Sequence, residues 1–158
     1  MDITLLAVGK LRPAYRDAAD EYARRIARHV RLREIEVREA ARAPGPAAQR
    51  EEEAERLRAR LPAGATLVAL TREGAGWTSE ELARRLGGWR EAARPLAFVI
   101  GGSHGLADSL IASAAFRWSL GPATLPHELA RVVVLEQIYR GFTILRGEPY
   151  HKGGRSRE

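Results

Sequence analysis

Four segments in the last third of the chain combine residue types and spacings that could do chemistry. The first, Ile100–Gly105, places glycines and a histidine between an apolar run and a helical pattern. Its glycines Gly101, Gly102 and Gly105 let backbone N–H groups approach an anionic or adenosine-bearing ligand closely. The run is neither a Walker motif nor a complete dinucleotide fingerprint, so a simple tight turn is the alternative interpretation. We interpret His104 within it as a polar loop residue rather than a catalyst.

The second segment, Arg117–His127, carries few charges and ends with Pro126 at the expected start of a helix. An apolar loop of this kind suits the adenine of a nucleotide-like cofactor, held by backbone donors and acceptors. A plain connection from a strand to a helix is the alternative.

The third segment is the expected last helix, in which Glu136 and Arg140 lie one turn apart among apolar neighbours. Such a pair is either a buried structural ion pair or part of a site on a helix at an interface. The fourth segment brings Tyr150, His151 and Lys152 together near the chain end. A tyrosine can stack on a base and cations can meet phosphates, whereas a frayed terminus is the alternative.

Other classes of site are disfavoured by the sequence. The chain has no cysteine, which excludes disulfides, thiolate nucleophiles and cysteine-ligated metals. Its four histidines are too far apart for a recognised ligand spacing, so we predict no metal site. No Ser-His-Asp order or nucleophile elbow is present.

The elements that must position these segments alternate between apolar runs and helical periods. Continuous apolar strands alternating with helices predict an α/β fold, a mostly parallel sheet with helices on both faces. Ligands in such sheets bind beyond the carboxyl ends of the strands, here just after Leu70, Ile100 and Leu120. The expected strands cover residues 3–8, 32–37, 66–70 and 96–100, and the expected helices cover residues 13–30, 49–61, 78–89, 106–115 and 127–145.

Length and composition favour one ordinary domain spanning residues 1–158, with 45% hydrophobic and 29% charged residues. No apolar stretch reaches the roughly 18 residues of a membrane span, and the first residues lack the features of a signal peptide, so we expect a cytoplasmic protein without a membrane partner. The net charge of +6 fits a nucleic-acid partner or ordinary solubility. Nearly all of its basic residues are arginine, a bias that genome composition can produce without any function.

Taken together, these motifs closely resemble the ribosomal large subunit methyltransferases of the SPOUT superfamily (RlmH type), enzymes that methylate N(3) of a pseudouridine in 23S rRNA. The resemblance covers nearly the whole chain, although residues 40–65 match only in the general character of their residues and not in specific motifs. It rests on the following pieces, in this order and at these spacings: Leu67–Leu70, Phe98–Leu106, Trp118–Leu120, Thr124–His127, Arg131–Arg140 and Pro149–Lys152.

The resemblance implies a SPOUT fold with a C-terminal trefoil knot over roughly residues 66–150. It also implies a homodimer whose active sites form where two knots meet. The implied target lies in 23S rRNA, and the resemblance implies that it is methylated on assembled ribosomes. S-adenosyl-L-methionine would be bound in the knot. The implied cofactor positions are Leu70, Gly101, Gly102, Gly105, Leu120, Gly121, Pro122, Ala123, Thr124, Leu125 and Pro126. The implied substrate-side positions are His127, Arg140, Tyr150, His151 and Lys152, with Glu136 beside them.

Methyl transfer to the imide nitrogen of pseudouridine requires alignment above all, and removal of the ring proton by a base or acceptor would assist it. His151 and Glu136 are the candidate bases, Arg140 could stabilise developing charge, and Tyr150 completes the catalytic set that we expect. Two alternatives stay open: a non-catalytic RNA-binding or assembly factor on the same scaffold, and a SPOUT methyltransferase that acts on tRNA.

Overall fold

The computed structural model describes residues 1–152, and of His151 and Lys152 it describes the backbone alone. The strands are β1 (Asp2–Val8), β2 (Arg31–Val37), β3 (Thr66–Gly76), β4 (Leu96–Ile100) and β5 (Phe116–Ser119). The helices are α1 (Pro13–Ile26), α2 (Pro46–Arg58), α3 (Ser79–Ala92), α4 (Asp108–Ser113) and α5 (His127–Arg146), followed by a 3₁₀ helix (Pro149–Lys152).

The strands form one sheet in the order β2-β1-β4-β3-β5, and every pairing in it is parallel. Strand β4 lies between β1 and β3, and all of its residues are buried, as expected for an uninterrupted apolar strand in a covered sheet. The predicted parallel α/β fold is therefore confirmed. The trefoil knot and the single-domain boundary stay predictions.

Helices cover both faces of the sheet, as predicted. Helices α1, α3 and α5 share one apolar cluster with inward residues of β1 and β4, among them Leu5 and Phe98. Helices α2 and α4 pack into a second cluster on the other face, through Leu57 and Leu110. The carboxyl ends of β3, β4 and β5 consequently open between two helical layers.

Local sequence signals account for several element boundaries. Thr78 Oγ1 accepts a hydrogen bond of 3.1 Å from the N–H of Glu81, and the Glu81 carboxylate accepts one of 2.8 Å from the N–H of Thr78. This is the reciprocal capping box that the sequence predicts. Pro46 occupies the first turn of α2, where its missing N–H costs nothing, so that helix begins three residues earlier than expected.

Three helices end earlier than predicted. Helix α1 ends at Ile26 rather than near Val30, because a turn over residues 27–29 redirects the chain into β2. Helices α2 and α4 are likewise shorter at their C-terminal ends, stopping at Arg58 and Ser113. Helical periodicity continues into such turns, so sequence pattern overestimates helix length at these ends.

Strand β3 is longer than predicted and irregular. It continues to Gly76, and its register against β5 shifts between Leu70 and Ala75. The intervening residues 71–74 form a bulge. A Cβ on Gly74 would lie 2.6 Å from the backbone carbonyl carbon of Arg117, so this bulge is pressed directly onto β5.

None of the helices in the described range 1–152 is long and apolar enough to cross a bilayer.

Candidate active site

A cavity of about 800 Å³ opens beyond the carboxyl ends of β3, β4 and β5. This is the edge at which the sequence predicts a ligand. Ten of its lining positions are predicted cofactor positions: Leu70, Gly101, Gly102, Gly105, Leu120, Gly121, Ala123, Thr124, Leu125 and Pro126. Pro122 is not among the lining residues.

The loop after β4 forms one wall of the cavity and requires its glycines. A Cβ on Gly101 would lie 2.3 Å from the carbonyl carbon of Gly105, so no larger residue fits without moving the backbone. Gly105 itself has a φ of +77° and donates a hydrogen bond of 3.0 Å to the carbonyl oxygen of Gly102. The loop is a tight turn, and it also forms a cavity wall. That its backbone N–H groups approach a ligand stays a prediction.

The loop after β5 forms the opposite wall. Ser119 Oγ lies 3.2 Å from the backbone N–H of Gly121, from which it accepts a hydrogen bond. Gly121 has a φ of +121°, which turns the chain toward Pro126 and α5. Trp118, buried at the end of β5, lines the same cavity and stacks on Trp77 with ring centroids 5.4 Å apart. This wall is apolar, as expected for a surface that receives a flat heterocycle.

The structure also brings residues to the cavity that sequence reasoning missed. The β3 bulge contributes Thr71, Arg72 and Glu73, while α2 contributes Arg50 and α4 contributes Asp108. The resemblance is weak over residues 40–65 and α4 is short, so neither pattern nor motif pointed to those two helices. The only sequence signal that could have pointed to these two helices is that each is next, along the chain, to a strand that ends at the cavity.

The first turn of α5 carries His127 and Ala130 on the cavity wall and is hydrogen-bonded to Arg12, the N-cap residue of α1. The Glu128 carboxylate accepts hydrogen bonds from the backbone N–H of Arg12 at 3.0 Å and from its Nε at 2.7 Å. These two bonds, the backbone one foremost, hold the pKa of Glu128 below its usual value.

Arg131, one turn further along α5, is almost fully buried. Its guanidinium donates to the carbonyl oxygen of Gly9 at 2.8 Å, lies 3.4 Å from that of Val8, and pairs with the Glu36 carboxylate at the end of β2. It therefore anchors α5 to the C-terminal ends of β1 and β2.

Glu136, Arg140 and Tyr150 form a cluster of their own, and none of them lines the cavity of the same chain. Arg140 Nη2 lies 2.7 Å from Glu136 Oε1, and the Tyr150 hydroxyl donates to the same oxygen at 3.0 Å. Gln137 Nε2 donates to the other oxygen at 2.7 Å. The predicted helical pair is thus present, and the tyrosine joins it.

The Tyr150 ring is held firmly in this cluster. It packs edge-on against Tyr139 with centroids 4.7 Å apart, and the Arg140 guanidinium lies 4.8 Å from its centroid. Burial, and then the hydrogen bond to Glu136, raise the pKa of the Tyr150 hydroxyl. Tyr150 is consequently a proton-bearing donor at neutral pH. The side chains of His151 and Lys152 lie outside the part of the chain that the structure describes, as does the extension 153–158.

The other three histidines lie in different environments, two at the cavity and one packed against an aromatic ring. His104 is exposed at the cavity, as a loop residue, and His127 lines it from α5. His29 stacks on Phe142 with centroids 5.4 Å apart, and burial lowers its pKa. Within residues that the structure describes, no three His, Asp or Glu side chains are grouped to hold a metal ion.

Comparisons with known proteins agree with this architecture. A model of the family described as "Predicted SPOUT methyltransferase" matches residues 1–151. The protein named "Ribosomal RNA large subunit methyltransferase H" from Anaeromyxobacter sp. is 46% identical over 153 residues, covering 96% of this chain and 100% of the relative. The protein of the same name from Gemmatimonas aurantiaca is 49% identical over 154 residues, with coverage of 96% and 100%.

Solved structures with low sequence identity share the fold. A "probable methylase family protein" from Haemophilus influenzae superposes with a TM-score of 0.54 at 11% identity, covering 94% of this chain and 69% of that one. A "Probable Methyltransferase" from Bordetella pertussis gives 0.51 at 18% identity, with coverage of 88% and 95%. With the family model spanning nearly all of the sequence and close relatives matched end to end, the chain belongs to the SPOUT methyltransferase family.

Proposed function

We propose that this protein transfers a methyl group from S-adenosyl-L-methionine to N(3) of a pseudouridine in 23S rRNA of the large ribosomal subunit. The observation that carries the proposal is the cavity at the carboxyl edge of the sheet, built from the glycine loop and the 119–126 loop in a chain of this family. The names of the end-to-end relatives support a ribosomal RNA target. A ribosomal target also supports a cytoplasmic location.

The residues present fit this cofactor. The cavity volume of about 800 Å³ lies within the range of ligand pockets, and Gly101 and Gly102 bring backbone without side chains to its wall. Leu70, Gly102 and the stretch Gly121–Pro126 would hold the adenosine part through backbone groups and apolar contact. When bound, the cofactor supplies an electrophilic methyl group. The protein's own contribution is to orient the ring nitrogen in line with that methyl group and to keep water away.

We propose that the active unit is a homodimer. Glu136 lies nine residues and Arg140 thirteen residues beyond His127 on α5, which is roughly 14 and 20 Å along the helix axis. Within one chain, the cluster of Glu136, Arg140 and Tyr150 is therefore remote from the cavity wall that His127 forms. The half-buried Val133 on the same helix offers apolar surface for a second copy. A second copy packed there would bring the cluster of one protomer to the cavity of the other.

Within that arrangement the cluster has defined chemical capacities. Arg140 can stabilise negative charge that develops on the pyrimidine carbonyls, or bind phosphate. Glu136 Oε1 is occupied by Arg140 and Tyr150, whereas Oε2 accepts a hydrogen bond from Gln137 alone and can still accept the ring proton. His151 is the other candidate base.

The proposal is tested with ribosomes from a strain that lacks the modification. Purified protein is incubated with methyl-labelled S-adenosylmethionine and whole ribosomes, isolated 23S rRNA or bulk tRNA, and the nucleosides are analysed by mass spectrometry. We expect N(3)-methylated pseudouridine in 23S rRNA, with more from whole ribosomes than from isolated RNA. Label in tRNA alone would support the tRNA-directed alternative. Cofactor binding by calorimetry without any transfer, or no binding at all, would support the non-catalytic alternative.

A further inference from the structure

The helices α2 and α4 lie side by side on one flank of the cavity. Arg58 Nη2 donates to Ser109 Oγ at 2.8 Å, and that hydroxyl lies 3.3 Å from the Glu51 carboxylate, to which it donates. Glu51 and Ser109 are the chain neighbours of Arg50 and Asp108. These contacts therefore place the two cavity-lining residues, one from each helix, on the same flank.

Arg50 and Asp108 carry opposite charges, and both line the cavity. Neither makes an ion pair with any side chain that the structure describes. The arginine is half-buried and the aspartate is exposed. One cation and one anion on a shared wall are complementary to the zwitterionic end of an α-amino acid, which bears a carboxylate and an ammonium group on the same carbon atom.

The opposite wall has a different character. Trp118, Leu120 and Leu125 make it apolar, which suits a purine ring and not a charged group. A ligand that is aromatic at one end and zwitterionic at the other would thus find matching chemistry at both ends of this cavity.

We propose that Arg50 and Asp108 bind the amino-acid end of the methyl donor, Arg50 its α-carboxylate and Asp108 its α-ammonium group. The proposal rests on the proposed function and adds the orientation of the cofactor. The planar guanidinium of Arg50 can meet a carboxylate through two parallel N–H···O bonds. With the amino-acid end on the α2–α4 flank, the adenosine would lie against the apolar loop after β5.

The test uses three thioether ligands and calorimetric titration of the full-length protein. S-adenosylhomocysteine carries both charged groups, its decarboxylated analogue carries the ammonium group alone, and 5′-methylthioadenosine carries neither. Arg50→Gln should weaken binding of S-adenosylhomocysteine about tenfold, the scale of a charge-assisted hydrogen bond, and leave the other two unchanged. Asp108→Asn should weaken binding of the first two ligands by a similar factor and spare 5′-methylthioadenosine.

Matched controls remove the same charges elsewhere. Arg84→Gln and Glu91→Gln change exposed residues of α3 and should leave all three affinities as in the parent protein. Equal losses for all three ligands in Arg50→Gln, or no loss for any, would overturn the inference while the proposed function stands. Failure of the parent protein to bind any of the ligands would overturn both. Weaker rRNA binding with unchanged S-adenosylhomocysteine affinity would reassign Arg50 to phosphate contact and also overturn it.

Discussion

Gly101 and Gly105 are packed backbone against backbone: a Cβ on Gly101 would lie 2.3 Å from the carbonyl carbon of Gly105 and 2.5 Å from its oxygen. The two residues begin and end the loop that walls the proposed cofactor cavity. Neither partner in this contact is a flexible side chain, so the loop cannot admit a methyl group without moving.

Gly101→Ala should therefore displace the loop. We expect the affinity for S-adenosylhomocysteine to fall by at least about tenfold and the free energy of unfolding to fall by about 1–3 kcal/mol, as for other overpacked sites. Calorimetric titration and urea denaturation measure the two effects. The control is Gly88→Ala in α3, where a Cβ meets nothing within 4 Å and helix propensity should raise stability slightly. Wild-type affinity in Gly101→Ala would contradict the assigned role of this loop.

Glu136→Gln tests the cluster on α5. The change preserves shape but removes the charge that pairs with Arg140, so we expect a fall in kcat of about 100-fold or more if Glu136 takes the ring proton. Because we assign Glu136 to the substrate and not to the cofactor, the affinity for the cofactor should stay unchanged. Single-turnover rates across pH separate loss of a base from loss of positioning.

Tyr150→Phe is the companion variant to this test. It retains the ring against Tyr139 and removes only the hydroxyl donor to Glu136. A smaller decrease in kcat than in Glu136→Gln is expected. Full turnover in Glu136→Gln would exclude Glu136 as the base and leave His151 as the remaining candidate.

Arg131→Met tests the anchor of α5. The variant leaves the carbonyl oxygens of Val8 and Gly9 and the Glu36 carboxylate without their buried donor. We expect a loss of about 3–5 kcal/mol in the free energy of unfolding, measured by urea denaturation. Arg12→Met, which breaks a pair whose arginine side chain is 73% exposed, should lower the free energy of unfolding far less. Similar small losses in both variants would contradict the anchoring role.

His29 should make stability depend on pH. Burial lowers its pKa in the folded protein, so the unfolded chain binds the proton more readily. Its contribution is complete above the unfolded pKa of about 6.5 and is lost as the pH falls through that value toward the lower folded pKa. The melting temperature should therefore decrease more steeply from pH 7.5 to 5.5 in the parent protein than in His29→Phe, which retains a ring against Phe142. His104→Gln, at an exposed loop position, should follow the parent protein, and an unchanged slope in His29→Phe would contradict this prediction.

Some elements could be predicted from the sequence pattern, and others could not. Apolar runs located β1 and β4 correctly, since a strand covered on both faces is built mainly of apolar residues, with Thr4 the buried polar residue of β1. Glycine spacing located the loop at Gly101–Gly105, because backbone contact leaves no alternative residue there. The β3 bulge at Thr71–Gly74 escaped prediction, since nothing in a single sequence states where a register shift against a neighbouring strand occurs.

The sequence by itself determined the parallel α/β architecture, the edge of the sheet at which the cavity opens, and most of the loop positions that form the cavity wall. These follow from local rules: burial demands apolar strands, and tight turns demand glycine. Only the tertiary structure decided that Arg50 and Asp108 line the same cavity and that Arg131 is buried against β1. It also decided that Glu136 lies far from the cavity of its own chain. Helical periodicity specifies which side of a helix is apolar, but the strand and the loop that this side meets depend on the packing of the whole sheet.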